Sequence, residues 1–250
     1  MIALVTGATA GFGEAIARRF VKEGAKVIAA GRRGERLTKL RQELGPANVH
    51  CLTLDVRDRQ AVERAIQELP AELSAIDVLV NNAGLALGLE PAARAILDEW
   101  ETMVDTNVKG VLFLTRAVLP GMVQRNRGHV VNISSVAANW PYPGGNVYGA
   151  SKAFVQQFSR NLRTDLQGTA VRVTDIAPGM VAGTEFAPVR FRGDVARAQK
   201  NYDGADPLLP EDIAETVYWA VSLPPRVNIN AIEVMPVCQS WSAMTINRKK

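Results

Sequence analysis

Cysteine is scarce in this chain: Cys51 and Cys238 are the two among 250 residues. They show no CxxC spacing, which excludes a disulfide framework, and Cys51 sits in an apolar strand-like run where a buried reduced thiol is expected. His50 and His129 are the two histidines, and neither has a neighbour at metal-ligand spacing, so no metal is expected. No apolar run approaches the roughly 20 residues of a membrane helix. Met1-Ile2-Ala3-Leu4 leads directly into a strand without a leader-like stretch, so a cytoplasmic chain is expected, with no membrane partner. Basic blocks are lacking as well. The net charge of +4 is not gathered into a Lys/Arg-rich helix, which argues against nucleic acid; a nucleotide phosphate would suit the same modest excess. Two short matches carry no weight: Asn132-Ile-Ser134 fits a glycosylation sequon inside an expected buried strand, and Arg192-Gly-Asp194 is only three residues long.

What is present is an ordinary globular balance, 47% hydrophobic and 22% charged, in a chain long enough for one large domain. Apolar strand-like runs at 2–6, 26–30, 49–54, 76–80, 130–135, 170–176 and 230–235 alternate with helical patterns, including 58–69, 98–124, 148–166 and 211–222. That alternation predicts the α/β class: a Rossmann-type doubly wound parallel sheet of about seven strands, flanked by helices on both faces. No repeat or linker divides it, so 1–250 reads as one domain, with a cofactor half 1–135 and a catalytic and substrate half 136–250.

The first strand runs into Gly7-Ala8-Thr9-Ala10-Gly11-Phe12-Gly13 and then a helix. A glycine-rich turn at a helix N-terminus offers backbone N–H groups and a positive helix end to a pyrophosphate. The second strand ends in Gly31-Arg32-Arg33, where an NAD site would place an acid for the ribose hydroxyls. Two arginines there favour the 2′-phosphate of NADP. Asp55 closes the third strand, either to bond a purine amino group or to cap the next helix. Asn81-Asn82-Ala83-Gly84 closes the fourth and suits close approach to a ligand. Asn107 is polar in apolar company within a long helical pattern, which predicts a distorted turn.

Tyr148 and Lys152 stand four residues apart, on one face of a helix that follows Ser135 at the end of the fifth strand. A phenol near 10 needs roughly 4 kcal/mol of help to ionise at neutral pH. One ammonium about 4 Å away supplies a term of that order. The loop 139–145 is turn-rich and aromatic and is expected to form pocket wall; 182–208, with three glycines, reads as an insert able to close over a ligand. Phe154, Val155, Phe158 and Leu162 read as the packing stripe of their helix. Arg190 and Arg192 are candidates for a substrate carboxylate, with solvated loop arginines as the alternative.

Taken together, Thr6-Gly7, Gly11-Phe-Gly13, Asp55, Asn81-Asn82-Ala83-Gly84, Asn107, Ser135, Tyr148-xxx-Lys152 and Pro178-Gly179 resemble the short-chain dehydrogenase/reductase family over nearly the whole length. The resemblance implies Tyr148 as proton donor and acceptor, Ser135 orienting the substrate oxygen, Lys152 binding ribose, and Asn107 holding a water by its carbonyl. It implies cofactor contacts from Gly7 to Gly13, Arg32, Arg33, Asp55, Val56, Asn81, Asn82, Gly84, Tyr148, Lys152, Pro178, Gly179, Val181 and Thr184. Substrate contacts fall on Ser135, Tyr148 and Arg190. Within the family, Gly-Ala-Thr-Ala-Gly-Phe-Gly-Glu14, Trp140-Pro-Tyr and Gly183-Thr-Glu-Phe186 resemble the bacterial NADP-dependent 3-hydroxy acid dehydrogenases. That likeness implies L-serine, L-allo-threonine and 3-hydroxypropionate or malonic semialdehyde as substrates, and a homotetramer. The alternatives are an NADPH-dependent reductase of neutral ketones or β-ketoacyl groups, and a non-catalytic dinucleotide sensor.

Overall fold

The computed structural model describes residues 1–200 and 202–241. Its strands are β1 (Ile2–Thr6), β2 (Lys26–Gly31), β3 (Val49–Thr53), β4 (Val78–Asn81), β5 (Gly128–Ile133), β6 (Val171–Pro178) and β7 (Ala231–Val234). They form one parallel sheet in the order β3-β2-β1-β4-β5-β6-β7. Its helices are α1 (Gly11–Lys22), α2 (Gly34–Leu44), α3 (Arg59–Gln67), α4 (Leu97–Val104), α5 (Gly110–Gln124), α6 (Asn146–Asp165), α7 (Phe186–Arg190), α8 (Val195–Lys200) and α9 (Pro210–Ser222).

The inner strands β1, β2, β4, β5 and β6 are mostly apolar because they are buried on both faces, whereas the edge strands β3 and β7 are only partly buried. Alternation sends Ala3, Val5, Val27, Val80 and Val131 into a core under α1, α2 and α9. Leu4, Ile28, Leu79 and Val130 enter a second core under α3, α5 and α6. The strand order reverses between β1 and β4, and the crevice at their C-terminal ends is where such sheets bind ligands.

The helical pattern at 98–124 holds as α4 and α5, joined by one π-helical turn at Asp105–Lys109 with Asn107 inside it. The polar residue explains the distortion. Asn107 Oδ1 accepts from the Leu85 N–H at 2.9 Å, while Nδ2 donates to the Leu85 carbonyl at 2.9 Å and to Ser151 Oγ at 3.0 Å. One buried amide thereby clamps the loop after β4 to α6.

Two expectations need correction. The fifth strand ends at Ile133; Ser135 instead caps a short 3-10 turn, its Oγ accepting from Ala137 N at 3.1 Å. Phe154 is not part of the α6 packing stripe. Val155 and Leu162 are buried seven residues apart, whereas Phe154 lies about 100° off that line and is exposed, stacked on Phe158 with centroids 5.9 Å apart. The 182–208 insert carries α7 and α8, and a bridge between Val181 and Leu208 closes its base.

Candidate active site

A cavity of about 320 Å³ opens at the crevice. Its floor is the glycine turn. Gly7 and Gly11 have φ of +66° and +53°, and a Cβ on Gly13 would stand 2.3 Å from the Gly7 carbonyl. Only glycine fits there. Ala10 is extended and, among the described residues, no side chain caps α1, so its first N–H groups point at the cavity. A cradle of bare backbone donors at a helix N-terminus fits a pyrophosphate.

At the far end, Arg32 and Arg33 line the cavity. Arg33 donates to Thr9 Oγ1 at 2.9 Å and pairs with Glu185 of the insert at 2.7 Å; Arg36, one helical turn on, meets the same carboxylate at 2.7 Å. Arg36 was readable in principle from its spacing after Arg32 and Arg33. Glu185 was not, being 149 residues from Arg36 along the chain.

Thr9, Ala10, Phe12, Asp55, Val56, Asn82, Gly84, Tyr148, Lys152 and Thr184 also line the cavity. Six expected cofactor contacts do not, and the expected substrate contacts Ser135 and Arg190 also lie outside its lining. Ala8 is fully buried with its N–H on the Ala30 carbonyl, and Gly13 packs beneath the turn. Asn81 is directed away from its neighbour Asn82 and donates to Thr115 Oγ1 at 3.0 Å and Asn132 Oδ1 at 2.8 Å, deep between sheet and helices. Pro178 and Gly179 continue the edge of β6 toward Met235 and Gln239, and Val181 belongs to the bridge with Leu208. Asp55 is engaged by Arg57 at 2.6 Å, which holds its carboxyl below the usual range; the helix cap is Asp58, which accepts from Ala61 N at 2.9 Å.

Tyr148 and Lys152 stand together on α6, 8% and 6% exposed. A Cβ on Gly84 would lie 3.2 Å from both Lys152 Nζ and Asn107 Oδ1, so lysine and asparagine converge behind the loop after β4. Burial pushes the Tyr148 phenol up to about 12, against a hydrogen bond from Ser135 and the charge of Arg190, which pull it down. Lysine and tyrosine are neighbours on one face of α6. Lys152 Nζ lies 5.9 Å from the tyrosine ring centroid and donates to the Ile133 carbonyl at 2.9 Å. Burial brings Lys152 down to about 8, with Asp175 opposing.

Arg190 is a second cation beside Tyr148. It is 9% exposed, donates to the Gly88 carbonyl at 3.1 Å and to the Tyr142 hydroxyl at 2.8 Å, and its guanidinium carbon sits 5.7 Å from the Tyr148 centroid. Arg192 is excluded from the site by its exposed pairs with Glu90 and Glu99. Within the loop 139–145 the inward aromatic is Tyr142; Trp140 turns outward to Glu233 and packs on Trp241. Phe186, missed from the sequence, meets Tyr148 edge-on at 5.6 Å. Among the described residues no cluster of His, Cys, Asp and Glu could hold a metal ion.

A nucleotide cradle at the switch point of a doubly wound sheet, ending beside a buried Ser-Tyr-Lys group, defines a dinucleotide-dependent oxidoreductase. The chain belongs to the short chain dehydrogenase family, which it matches over residues 1–193. It is 64% identical over 248 residues to the NADP-dependent 3-hydroxy acid dehydrogenase YdfG of Salmonella typhi, covering 99% of this chain and 100% of the relative. The closed form of a serine dehydrogenase complexed with NADP+ superposes with a TM-score of 0.98 at 61% identity, covering 100% of both chains. A serine dehydrogenase structure from Escherichia coli gives 0.86 at 59% identity, covering 96% of this chain and 100% of the other. Among the described residues, no helix is long and apolar enough to cross a membrane.

Proposed function

We propose that the protein is an NADP-dependent dehydrogenase that reversibly oxidises the 3-hydroxyl of small hydroxy acids such as L-serine, L-allo-threonine and 3-hydroxypropionate. The observation that carries the reading is Arg190, a buried guanidinium held beside Tyr148 and suited to a carboxylate one short carbon chain from the reacting hydroxyl. The names of its relatives, a 3-hydroxy acid dehydrogenase and a serine dehydrogenase, support the same substrate class.

The glycine turn and the α1 N-terminus hold the pyrophosphate, Asn82 and Gly84 border the ribose and nicotinamide side, and Arg32 and Arg33 meet the 2′-phosphate. NADP, when bound, supplies the hydride acceptor and a positive ring charge next to the phenol. Ser135 and Tyr148 both hydrogen-bond the reacting oxygen, stabilising alkoxide character as the C–H bond breaks. Tyr148 takes the hydroxyl proton, and Lys152 binds ribose and passes that proton toward solvent. Asn107 holds the lysine side of the site in place through Leu85 and Ser151.

The chain works as one domain, with the cofactor half 1–135 and the catalytic half 136–250 sharing the sheet. Exposed Leu97, Val104, Val123 and Phe154 on α4 to α6 support a homotetramer, which light scattering tests. Free Cys51 and Cys238 accord with a cytoplasmic location, tested by fractionation.

The deciding experiment is the rate of NADP reduction with L-serine, L-allo-threonine and 3-hydroxypropionate, run in parallel with NAD. Turnover with NADP and little with NAD supports the reading. Silence on all three, with NADPH-dependent reduction of neutral ketones, moves the substrate to the uncharged class and leaves Arg190 without a ligand.

A further inference from the structure

One buried acid has no place in the chemistry above. On β6, Val171 and Val173 enter the core beneath α6 while Ile176 enters the opposite one, so alternation directs Asp175 toward α6. Asp175 is 2% exposed, and among the described residues neither carboxyl oxygen has a hydrogen-bond partner. It pairs in register with Asn132, whose amide is committed to Asn81 and Ser159. Lys152, Gln156 and Ser159 form the buried stripe of α6 that faces this strand. Lys152 Nζ rests on the carbonyl of Ile133, the residue after Asn132, and so stands over the β5–β6 seam that holds Asp175.

Lys152 Nζ donates to the Ile133 carbonyl and makes no hydrogen bond to Asp175, so the two charges act on each other across the seam; each is unfavourable buried alone and more tolerable with the other near. The groups that act on Asp175 are few: Ser134 from the end of β5, and Lys152, Gln156 and Arg160 from α6. β7, its other neighbour in the sheet, offers Ala231. Burial raises the acid and lowers the lysine, and the two charges oppose both effects.

We propose that Asp175 is a positioning residue for the reaction: its carboxylate is the buried counter-ion that keeps Lys152 an ammonium and holds it over the β5–β6 seam beneath the active site. The proposal deepens the reading of Lys152 as the proton relay and rests on it for its catalytic consequence. Asp175 touches neither substrate nor cofactor. Its effect passes through Lys152, because loss of the ammonium leaves a neutral amine that neither favours the phenolate nor hands a proton on.

Asp175→Asn keeps the shape and removes the charge. In protein labelled with ¹³Cε-lysine, Lys152 is assigned by its disappearance in Lys152→Met and titrated by NMR in both backgrounds. Lys152 is expected to lose its proton at least one pH unit lower in Asp175→Asn. The acid limb of kcat for hydroxy-acid oxidation is expected to move to higher pH, with KM little changed. An unmoved Lys152 titration overturns the proposal, and so does a fall in kcat that is equal at every pH. A shifted Lys152 with an unmoved kinetic profile upholds Asp175 as counter-ion and sinks the relay reading instead. Should Asp175→Asn fail to fold, infrared spectra of native protein labelled with ¹³C-aspartate decide. Carboxylate bands alone at pH 7 support the pair, and a neutral acid band overturns it.

Discussion

The carboxylate of Glu185 lies 2.7 Å from the guanidinium of Arg33, joining the insert after β6 to the end of β2 across the mouth of the cavity. Arg36 meets the same carboxylate at 2.7 Å, and Arg33 also holds Thr9 in the glycine turn. The cover over the site and the arginines proposed to meet the cofactor phosphate are thus one charged cluster. All three side chains are about half exposed, so each pair is worth only ~0.2–1 kcal/mol. Glu185→Gln should leave the melting temperature within a few degrees, yet speed NADP release about threefold in stopped-flow fluorescence. An unchanged release rate would mean that the pairs do not hold the cover down.

Tyr148→Phe removes the hydroxyl proposed to take the substrate proton. General acid–base catalysis is worth about 10²–10⁴ in rate, and kcat should fall by that order. NADP affinity by titration should stay within about threefold, since the ring and its packing on Phe186 persist. Retained turnover would remove Tyr148 from the mechanism.

Arg190→Met tests the carboxylate contact. A charge-assisted hydrogen bond is worth about 2 kcal/mol, or about thirtyfold. KM for 3-hydroxypropionate should rise by that factor, and reduction of a neutral ketone should barely change. An equal loss on both substrates would mark Arg190 as a packing residue that braces Gly88 and Tyr142.

Asn81→Ala separates structure from cofactor binding at adjacent asparagines. The substitution leaves Asn132 Oδ1 and Thr115 short of a donor in the core, at a cost of about 1–3 kcal/mol in denaturant unfolding. KM for NADP should stay within about twofold, because the side chain is directed away from the cavity. A large rise in KM would return Asn81 to the cofactor site.

His129 makes the fold acid-sensitive. It is 1% exposed, its Nε2 is 2.7 Å from Thr174 Oγ1, and Thr174 donates to the Ile229 carbonyl, so the neutral Nε2–H form fits. Nδ1 has no partner among the described residues, and burial brings the imidazole from 6.5 down to about 3. The folded value lies below the unfolded one. The unfolded chain therefore takes up a proton first, and stability is whole above pH 6.5 and lost as pH falls toward about 3. The full difference is on the order of 5 kcal/mol. His129→Gln keeps a donor for Thr174 and should flatten unfolding free energy between pH 6.5 and 4. An equal acid slope in both proteins would place the sensitivity elsewhere.

Periodicity was enough for the element order, because strands buried on both faces read as mostly apolar runs and helices on both sides must alternate with them. The same local logic made the glycine turn, the Tyr148–Lys152 spacing and the disturbed turn at Asn107 legible, since each depends on residues within one or two turns of chain. It misjudged Phe154 because a helical stripe read from sequence has no sharp edge. It also misjudged Asn81, because a strand's two faces look alike when both are buried. The role of the 238–250 tail is left open by the sequence, and of that tail 242–250 lie outside the described residues.

By itself, then, the sequence determined the order of elements, the glycine-rich turn at a helix N-terminus and the Tyr148–Lys152 spacing on one helix face. Only the tertiary structure decided that Arg190 joins Lys152 as a second cation beside the Tyr148 ring, at 5.7 and 5.9 Å, that Glu185 ties the insert to Arg33, and that Asp175 shares a buried seam with Lys152. Those relationships join residues up to 152 positions apart. Local propensity carries no information about them, and a charge's effect depends on the distance and burial that folding alone sets.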